Sequence, residues 1–219
     1  MTRGSEQLSP ELQAYLRAHS APPDQVLTDL AEETARDFPG SAGMQIGAEQ
    51  GTLMTQLARL TGARTAVEVG TFTGYSAICI ARGLTGDGRL TCCDISEEWT
   101  SVARRYWQRA GLADRIELAL APALDTLAAL PPGPHLDLAF IDADKPGYIG
   151  YWEQIVPRIR PNGLILVDNT MFHGQVVNPD DTSANVAGIR EFNDHALADD
   201  RVELVMLPIG DGLTLARRK

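Results

Sequence analysis

Residues 67–76 read VEVGTFTGYS, and the fold turns on how this stretch is understood. Val67 and Val69 flank Glu68 in a short strand pattern, and the strand runs into two glycines, Gly70 and Gly74. A glycine-bearing turn between a strand and a helix is a common nucleotide cradle, because its backbone N–H groups stay open to a ligand. Whether this turn holds a nucleotide, and which one, depends on what lies on either side.

Downstream, strand and helix patterns alternate. TAVEVG (65–70), RLTCCD (89–94), RIELAL (115–120), LDLAFID (136–142) and GLILVDN (163–169) read as strands. Helical patterns separate them at 74–83, 96–110, 123–130 and 147–160, the last broken near Pro157. Ser96 is an N-cap, with Glu97 and Glu98 in the first turn. A polar loop and a helix over 185–198 lead to two closing strands, 202–207 and 212–217. These last two lie too close for a helical crossover, so they are expected to pair antiparallel. Upstream, helices are expected at 9–19 (capped by Ser9, with Pro10 in its first turn), 24–37 and 47–61, the third presenting Leu53, Leu57 and Leu60 on one face.

This alternation implies an α/β protein with a doubly wound, mostly parallel sheet and N-terminal helices. One domain over 1–219 is expected, with 1–43 as a helical extension. The 44% apolar and 22% charged composition suits a soluble globular chain. The formal net charge is −10, from 19 basic and 29 acidic residues, which disfavours nucleic acid and anionic membranes as bulk partners. No apolar run is long enough to span a bilayer, and the N-terminal stretch lacks a signal-peptide core. Cys79, Cys92 and Cys93 all sit in apolar segments, which points to reduced core residues and a cytoplasmic setting.

An open parallel sheet binds ligands beyond the carboxyl ends of its strands. Here those ends carry Glu68 to Gly70, Asp94, Asp142, and Asp168 with Asn169. Carboxylates are rarely buried without partners, so this row of acids is the most informative pattern in the chain. The dinucleotide fingerprint G-x-G-x-x-G, started at Gly70, would need glycine where Phe72 and Tyr75 stand. A pyrophosphate would meet bulky side chains and the charge of Glu68, which argues against an NAD-dependent oxidoreductase. S-adenosylmethionine, with its ammonium and sulfonium, suits an acidic turn better. Asp94, 24 residues after Gly70, is placed to accept from ribose hydroxyls, as an acid in NAD sites also does.

EVGTFTGYS (68–76), DIS (94–96), APAL (121–124), FIDADKPGY (140–148), VDNTMFHG (167–174) and MLPIGDGLTLARR (206–218) follow one another in this order. Together they resemble the cation-dependent O-methyltransferases: the caffeoyl-coenzyme A O-methyltransferases, their bacterial relatives and, more distantly, catechol O-methyltransferase. The resemblance runs from about Met44 to the C-terminus. It implies a seven-stranded Rossmann-like class I methyltransferase sheet and a homodimer. It also implies S-adenosylmethionine contacts at Met44, Glu68, Gly70, Thr71, Ser76, Asp94, Ala123 and Asp142.

Asp142 ends the fourth strand, and Asp168 with Asn169 ends the fifth. Neighbouring strand ends lie about 5 Å apart, so two carboxylates and an amide oxygen can meet on one ion. An all-oxygen set points to a hard cation, Mg²⁺ first, with Ca²⁺ or Mn²⁺ as alternatives. Alone, an Asp at a strand end is more often a cap, and Asp-Asn a turn former. The resemblance carries the metal role onto Asp142, Asp168 and Asn169, and the catalytic role onto Lys145 together with Asp142. The implied acceptor is a small aromatic molecule with vicinal hydroxyls. A phenol, with its pKa near 10, becomes a nucleophile when a cation stabilises its phenolate and a lysine takes the proton.

Phe172 and His173 stand where relatives carry a tryptophan, so they are expected to border the acceptor. Tyr148 and Tyr151 read as packing, Asp211 in GDG as a turn, and His19 and His135 as surface. The loop 178–193 is shorter than in the plant enzymes, which suggests an open pocket without a coenzyme A handle. Some bacterial relatives methylate a hydroxylated uridine in transfer RNA. Arg104, Arg105 and Arg109 could form a local basic patch for that, although a solvated helix face is the plainer reading.

Overall fold

The computed structural model describes residues 9–219. Seven strands, Thr65–Val69 (β1), Arg89–Asp94 (β2), Ile116–Leu120 (β3), Leu136–Ile141 (β4), Ile159–Val167 (β5), Val202–Leu207 (β6) and Leu213–Arg218 (β7), form one sheet. Its order is β3-β2-β1-β4-β5-β7-β6. β1 to β5 are parallel, while β7 runs antiparallel to both β5 and β6. The expected terminal hairpin is therefore present, and its second strand is the one inserted next to β5.

Among the described residues there are eight α-helices: Pro10–Ala18 (α1), Gln25–Asp37 (α2), Ala48–Leu60 (α3), Tyr75–Gly83 (α4), Glu97–Arg109 (α5), Ala123–Ala129 (α6), Tyr148–Ile155 (α7) and Ala184–Ala198 (α8); α2 to α8 contribute to the core, whereas α1 buries none of its residues. Caps fix several starts: the Ser9 side chain accepts from Leu12 N, Asp24 from Leu27 N, and Ser96 from Trp99 N. The helix expected over 147–160 ends at Ile155, and a short 3₁₀ turn over Val156–Arg158 leads straight into β5 at Ile159. Pro157, with no N–H to donate, stops the helix.

The period of two along each strand divides the core into two layers. Ala66, Leu90, Cys92, Leu138, Phe140 and Leu166 face α2 to α5. Val67, Val69, Cys93, Ala139, Ile141 and Val167 face α6 to α8. The three cysteines are buried and free. Glu68 shares the parity of Ala66 and so points into the first layer, where it is fully buried.

The packed face of α3 differs from the expected leucine stripe. Gln50, Gly51, Met54 and Ala58 are buried, whereas Leu60 is 82% exposed. α3 lies close on α4, where a Cβ on Gly51 would meet Cys79 Sγ at 2.7 Å. Small and unbranched side chains therefore line the contact, and the leucines are displaced to its rim.

The strand order reverses between β1 and β4. Such a switch point opens a crevice at the carboxyl ends of the strands. The first residues past those two strands, Gly70 and Asp142, meet there: Asp142 N donates to Val69 O at 2.8 Å. Among the described residues, no helix is long and apolar enough to cross a membrane.

Candidate functional site

The glycine turn is shaped by its neighbours. Gly70 has φ 90°, and a Cβ there would overlap the carbonyl oxygen of Asp142. Gly74, at φ 87°, caps α4, and a Cβ on it would meet Ala103 Cβ and Trp107 Nε1, both at 2.7 Å. Glycine is thus required at both places by backbone conformation and by close approach. Phe72, where a dinucleotide site needs glycine, is itself left-handed (φ 51°) and packs edge-on against Trp99 at 5.1 Å.

Asp94, at the end of β2, holds the turn. Its Oδ2 accepts from Thr71 N and Phe72 N, both at 2.9 Å, and its Oδ1 accepts from Ser96 N at 2.8 Å. The turn N–H groups that could have faced a phosphate are thereby committed to a carboxylate.

A cavity of about 710 Å³ opens over these strand ends. Its wall includes Met44, Gly70, Thr71, Ser76, Asp94, Ala123, Asp142, Lys145 and Asn169, so most of the expected site residues converge on one space. Glu68 and Asp168 are not on that wall. Glu68 lies behind the turn, where Cys92 Sγ donates to its Oε2 at 3.3 Å and its Oε1 has no partner among the described residues. Burial pushes its carboxyl up to about 8, partly offset by Ser76, Cys92 and Thr71. In this structure Glu68 is a neutral acid beneath the cradle rather than an open countercharge.

The inner end of the cavity is polar. Lys145 follows β4 in a short 3₁₀ turn over Lys145–Gly147, and its ammonium is the hub. Nζ donates to Asn169 Oδ1 at 2.6 Å, to Tyr148 OH at 2.7 Å and to Asp142 Oδ1 at 3.0 Å. Tyr148 OH in turn donates to Asp168 O at 3.3 Å. Asn169 reaches this position through a left-handed backbone, φ 57°. Burial raises the Asp142 carboxyl, with Lys145 opposing the shift. Burial and then the Asp142 charge raise Asp168 to about 6.

Asp142 and Asn169 therefore already share one cation, the ammonium of Lys145. The donor set is all oxygen, as a hard cation requires. Asp168 sits just behind, with Gln50 Nε2 donating to its Oδ2 at 2.9 Å and Asn169 N to its Oδ1 at 2.8 Å. No group of three His, Cys, Asp or Glu side chains arranged to hold an ion occurs among the described residues. The set here is two carboxylates and an amide. The residues present fit a divalent cation, with the ammonium as its stand-in.

Several participants are not those the sequence singled out. Asp211 is more than a turn residue: it lines the cavity, accepts from His173 N, and brings Oδ2 within 3.5 Å of His173 Nδ1. Tyr148 is more than packing, since it fixes Lys145. Gln50 gives no signal in the sequence, because a glutamine in a helix carries no motif. Tyr151 donates to Asp144 Oδ1 at 2.5 Å and also borders the cavity. Phe172 and His173 both have positive φ, 43° and 52°, and both line the mouth of the cavity. His135 is half-buried rather than at the surface, its Nδ1 2.8 Å from Gly133 O.

The comparisons with known proteins agree with this geometry. A family model described as O-methyltransferase matches residues 17–219, well upstream of Met44. The chain is 39% identical over 175 residues to a probable caffeoyl-CoA O-methyltransferase 1 of Dictyostelium discoideum, covering 78% of this chain and 76% of that one. It is 35% identical over 222 residues to a catechol O-methyltransferase domain-containing protein 1 of Mus musculus, covering 98% and 84%. Among solved structures, the O-methyltransferase from Bacillus cereus in complex with SAH superposes with a TM-score of 0.86 at 32% identity, covering 95% of this chain and 97% of that one. The chain belongs to the O-methyltransferase family, a class of S-adenosylmethionine-dependent enzymes.

Proposed function

We propose that this protein moves a methyl group from S-adenosylmethionine to one hydroxyl of a small aromatic molecule with vicinal hydroxyls, with the help of a divalent cation. The observation that carries this reading is the meeting of Asp142 and Asn169 oxygens on the Lys145 ammonium, in the same cavity that the glycine turn lines.

The cofactor would lie along Gly70, Thr71, Ser76, Asp94 and Ala123, with Met44 closing over it and Glu68 supporting the turn from behind. Asp142, Asp168 and Asn169 would hold the cation, Mg²⁺ before Mn²⁺ or Ca²⁺. Such an ion, when bound, lowers the proton affinity of a phenol oxygen beside it. Lys145 would receive the phenol proton at Nζ as a free amine, its hydrogen bonds to Asp142 and Asn169 given up where those oxygens hold the cation, with Tyr148 fixing where that nitrogen stands. The phenol oxygen forms a bond to the cofactor methyl carbon as the carbon–sulfur bond breaks, and the electron pair of that bond stays on sulfur. Asp142 balances charge beside the reacting oxygens. Phe172 supplies an aromatic wall and His173 a polar edge at the mouth. The remaining contribution of the protein is alignment of the two partners.

The expectation of a homodimer, from the resemblance, and that of a cytoplasmic setting, from the cysteines, go with this proposal. Methylation of tRNA finds no support in the α5 arginines: Arg104 pairs with Glu97, Arg105 with Glu33 and Arg109 with Asp29. The experiment is transfer of labelled methyl from S-adenosylmethionine to a panel of catechols, with Mg²⁺ and with EDTA. Turnover that needs the metal is the expected result. Equal turnover in EDTA removes the ion from the proposal, and cofactor binding without methylation of any catechol removes the acceptor.

A further inference from the structure

Gln50 lies in the first turn of α3, 118 residues before Asp168, yet its amide meets that carboxylate inside the protein. It is only 2% exposed, and Asp168 only 4%. Its position allows little freedom. A Cβ on Gly210 would already come within 2.9 Å of Gln50 Oε1, so the amide is held between the 208–212 turn and the end of β5. Oriented this way, Nε2 gives its hydrogen to Asp168 Oδ2 at 2.9 Å, while Asn169 N gives one to Oδ1 at 2.8 Å. Each carboxylate oxygen is thus anchored once and keeps a lone pair for another partner.

The chemistry of the anchor matters as much as its place. A lysine at position 50 would bring a full positive charge to Asp168 and compete with any dication. A hydrocarbon would leave Asp168 buried with one oxygen unanchored. A neutral donor alone orients the carboxylate and preserves its charge. Outer partners of this kind tune metal affinity in proteins generally.

We infer that Gln50 is a positioning residue for the divalent cation, acting through Asp168 and tying α3 to the chemistry at the strand ends. The inference rests on the metal reading proposed above. α3 follows, after Gly47, the 43–46 segment that walls the cavity, so the helix that orients this acid continues from that wall.

The test titrates Mn²⁺ into the full chain saturated with S-adenosylhomocysteine, following free Mn²⁺ by electron paramagnetic resonance. Wild type and Gln50→Met are compared, and the Kd for S-adenosylhomocysteine is measured in each by calorimetry. Wild type should bind one Mn²⁺ per chain. Gln50→Met should weaken Mn²⁺ by about 10–100-fold. The S-adenosylhomocysteine Kd should stay within about threefold of wild type in that variant. Unchanged Mn²⁺ affinity in a variant that still binds S-adenosylhomocysteine overturns the inference. Equal loss of both ligands also overturns it, since that marks a general packing defect. If wild type itself binds no Mn²⁺, the metal reading fails first and the role of Gln50 falls with it.

Discussion

Lys145 Nζ lies 2.6 Å from Asn169 Oδ1, although 24 residues and a complete α/β crossover separate the two in sequence. The contact forms because β4 and β5 are parallel neighbours in register, Ile141 against Val167, so whatever follows each strand emerges at the same edge. An amine held there by an amide oxygen, a phenol and a carboxylate is built to stay in one place. It stands where an acceptor hydroxyl would arrive if the proposed reaction is right.

Replacing Lys145 by alanine should lower the maximal rate of catechol methylation most at neutral pH. Activity should recover as the pH approaches about 10, the ordinary phenol pKa, because solvent then supplies the deprotonated acceptor. The check is a pH–rate profile for both proteins. A loss of constant size at every pH would show that the lysine is not the base.

Asp168 and Asp142 both hold protons more tightly folded than unfolded, because burial disfavours their charge and, for Asp168, the Asp142 charge adds to this. For Asp168 the ordinary value is 3.8 and the folded one about 6. Its contribution to stability is therefore complete below the unfolded value and is lost as the pH rises through the folded one. A dication binding these groups competes with protons. Added Mg²⁺ should then raise the melting temperature clearly at about pH 7.5 and little at about pH 5. Calorimetry at the two pH values checks this, and an Mg²⁺ effect independent of pH would count against the ligand assignment.

Glu68→Gln should fold and should still bind S-adenosylmethionine within a few-fold of wild type, since the carboxyl it replaces is buried and neutral. The wild-type group sits at about 8 against an ordinary 4.5, so the stability it contributes is lost as the pH rises towards and through 8. The variant lacks that titration, and its denaturation midpoint should change less between about pH 5 and pH 8.5. Collapse of cofactor affinity in this isosteric variant would mean that Glu68 acts as a charged partner after all.

Gly70→Ala places a Cβ onto the Asp142 carbonyl oxygen at a backbone φ of 90°. Destabilisation of about 2 kcal/mol or more is expected from strain plus overlap, together with weakened cofactor binding. Urea denaturation and calorimetry measure the two effects. A stable variant with normal affinity would show that the β1 and β4 ends can part without consequence.

Bulk transfer RNA should not compete with a catechol for turnover. Arg105 and Arg109 are spent on the acids of α2, and the whole chain carries a net charge of −10. Inhibition by tRNA at physiological salt would reopen the nucleic-acid reading.

Much of this molecule was legible without coordinates. VEVGTFTGYS, the acids ending successive strands and the alternation of apolar runs with capped helices determine a doubly wound sheet with a ligand edge, because strand periodicity and helix caps are local properties. Those signals also placed Asp94, Asp142, Lys145 and Asn169 at one edge. What tertiary structure alone decided is how each group is used. Glu68 could be assigned to a strand end, but only the parity of β1 and the layer beneath it make it a buried neutral acid. Leu60 reads as core and lies in solvent, because α3 packs on α4 through Gly51 and Ala58. Gln50 carries no motif, and the segments that contain Tyr148 and Asp211 do not say what those side chains touch. They become part of the site because burial leaves polar groups to satisfy one another across distances in sequence that no local pattern encodes.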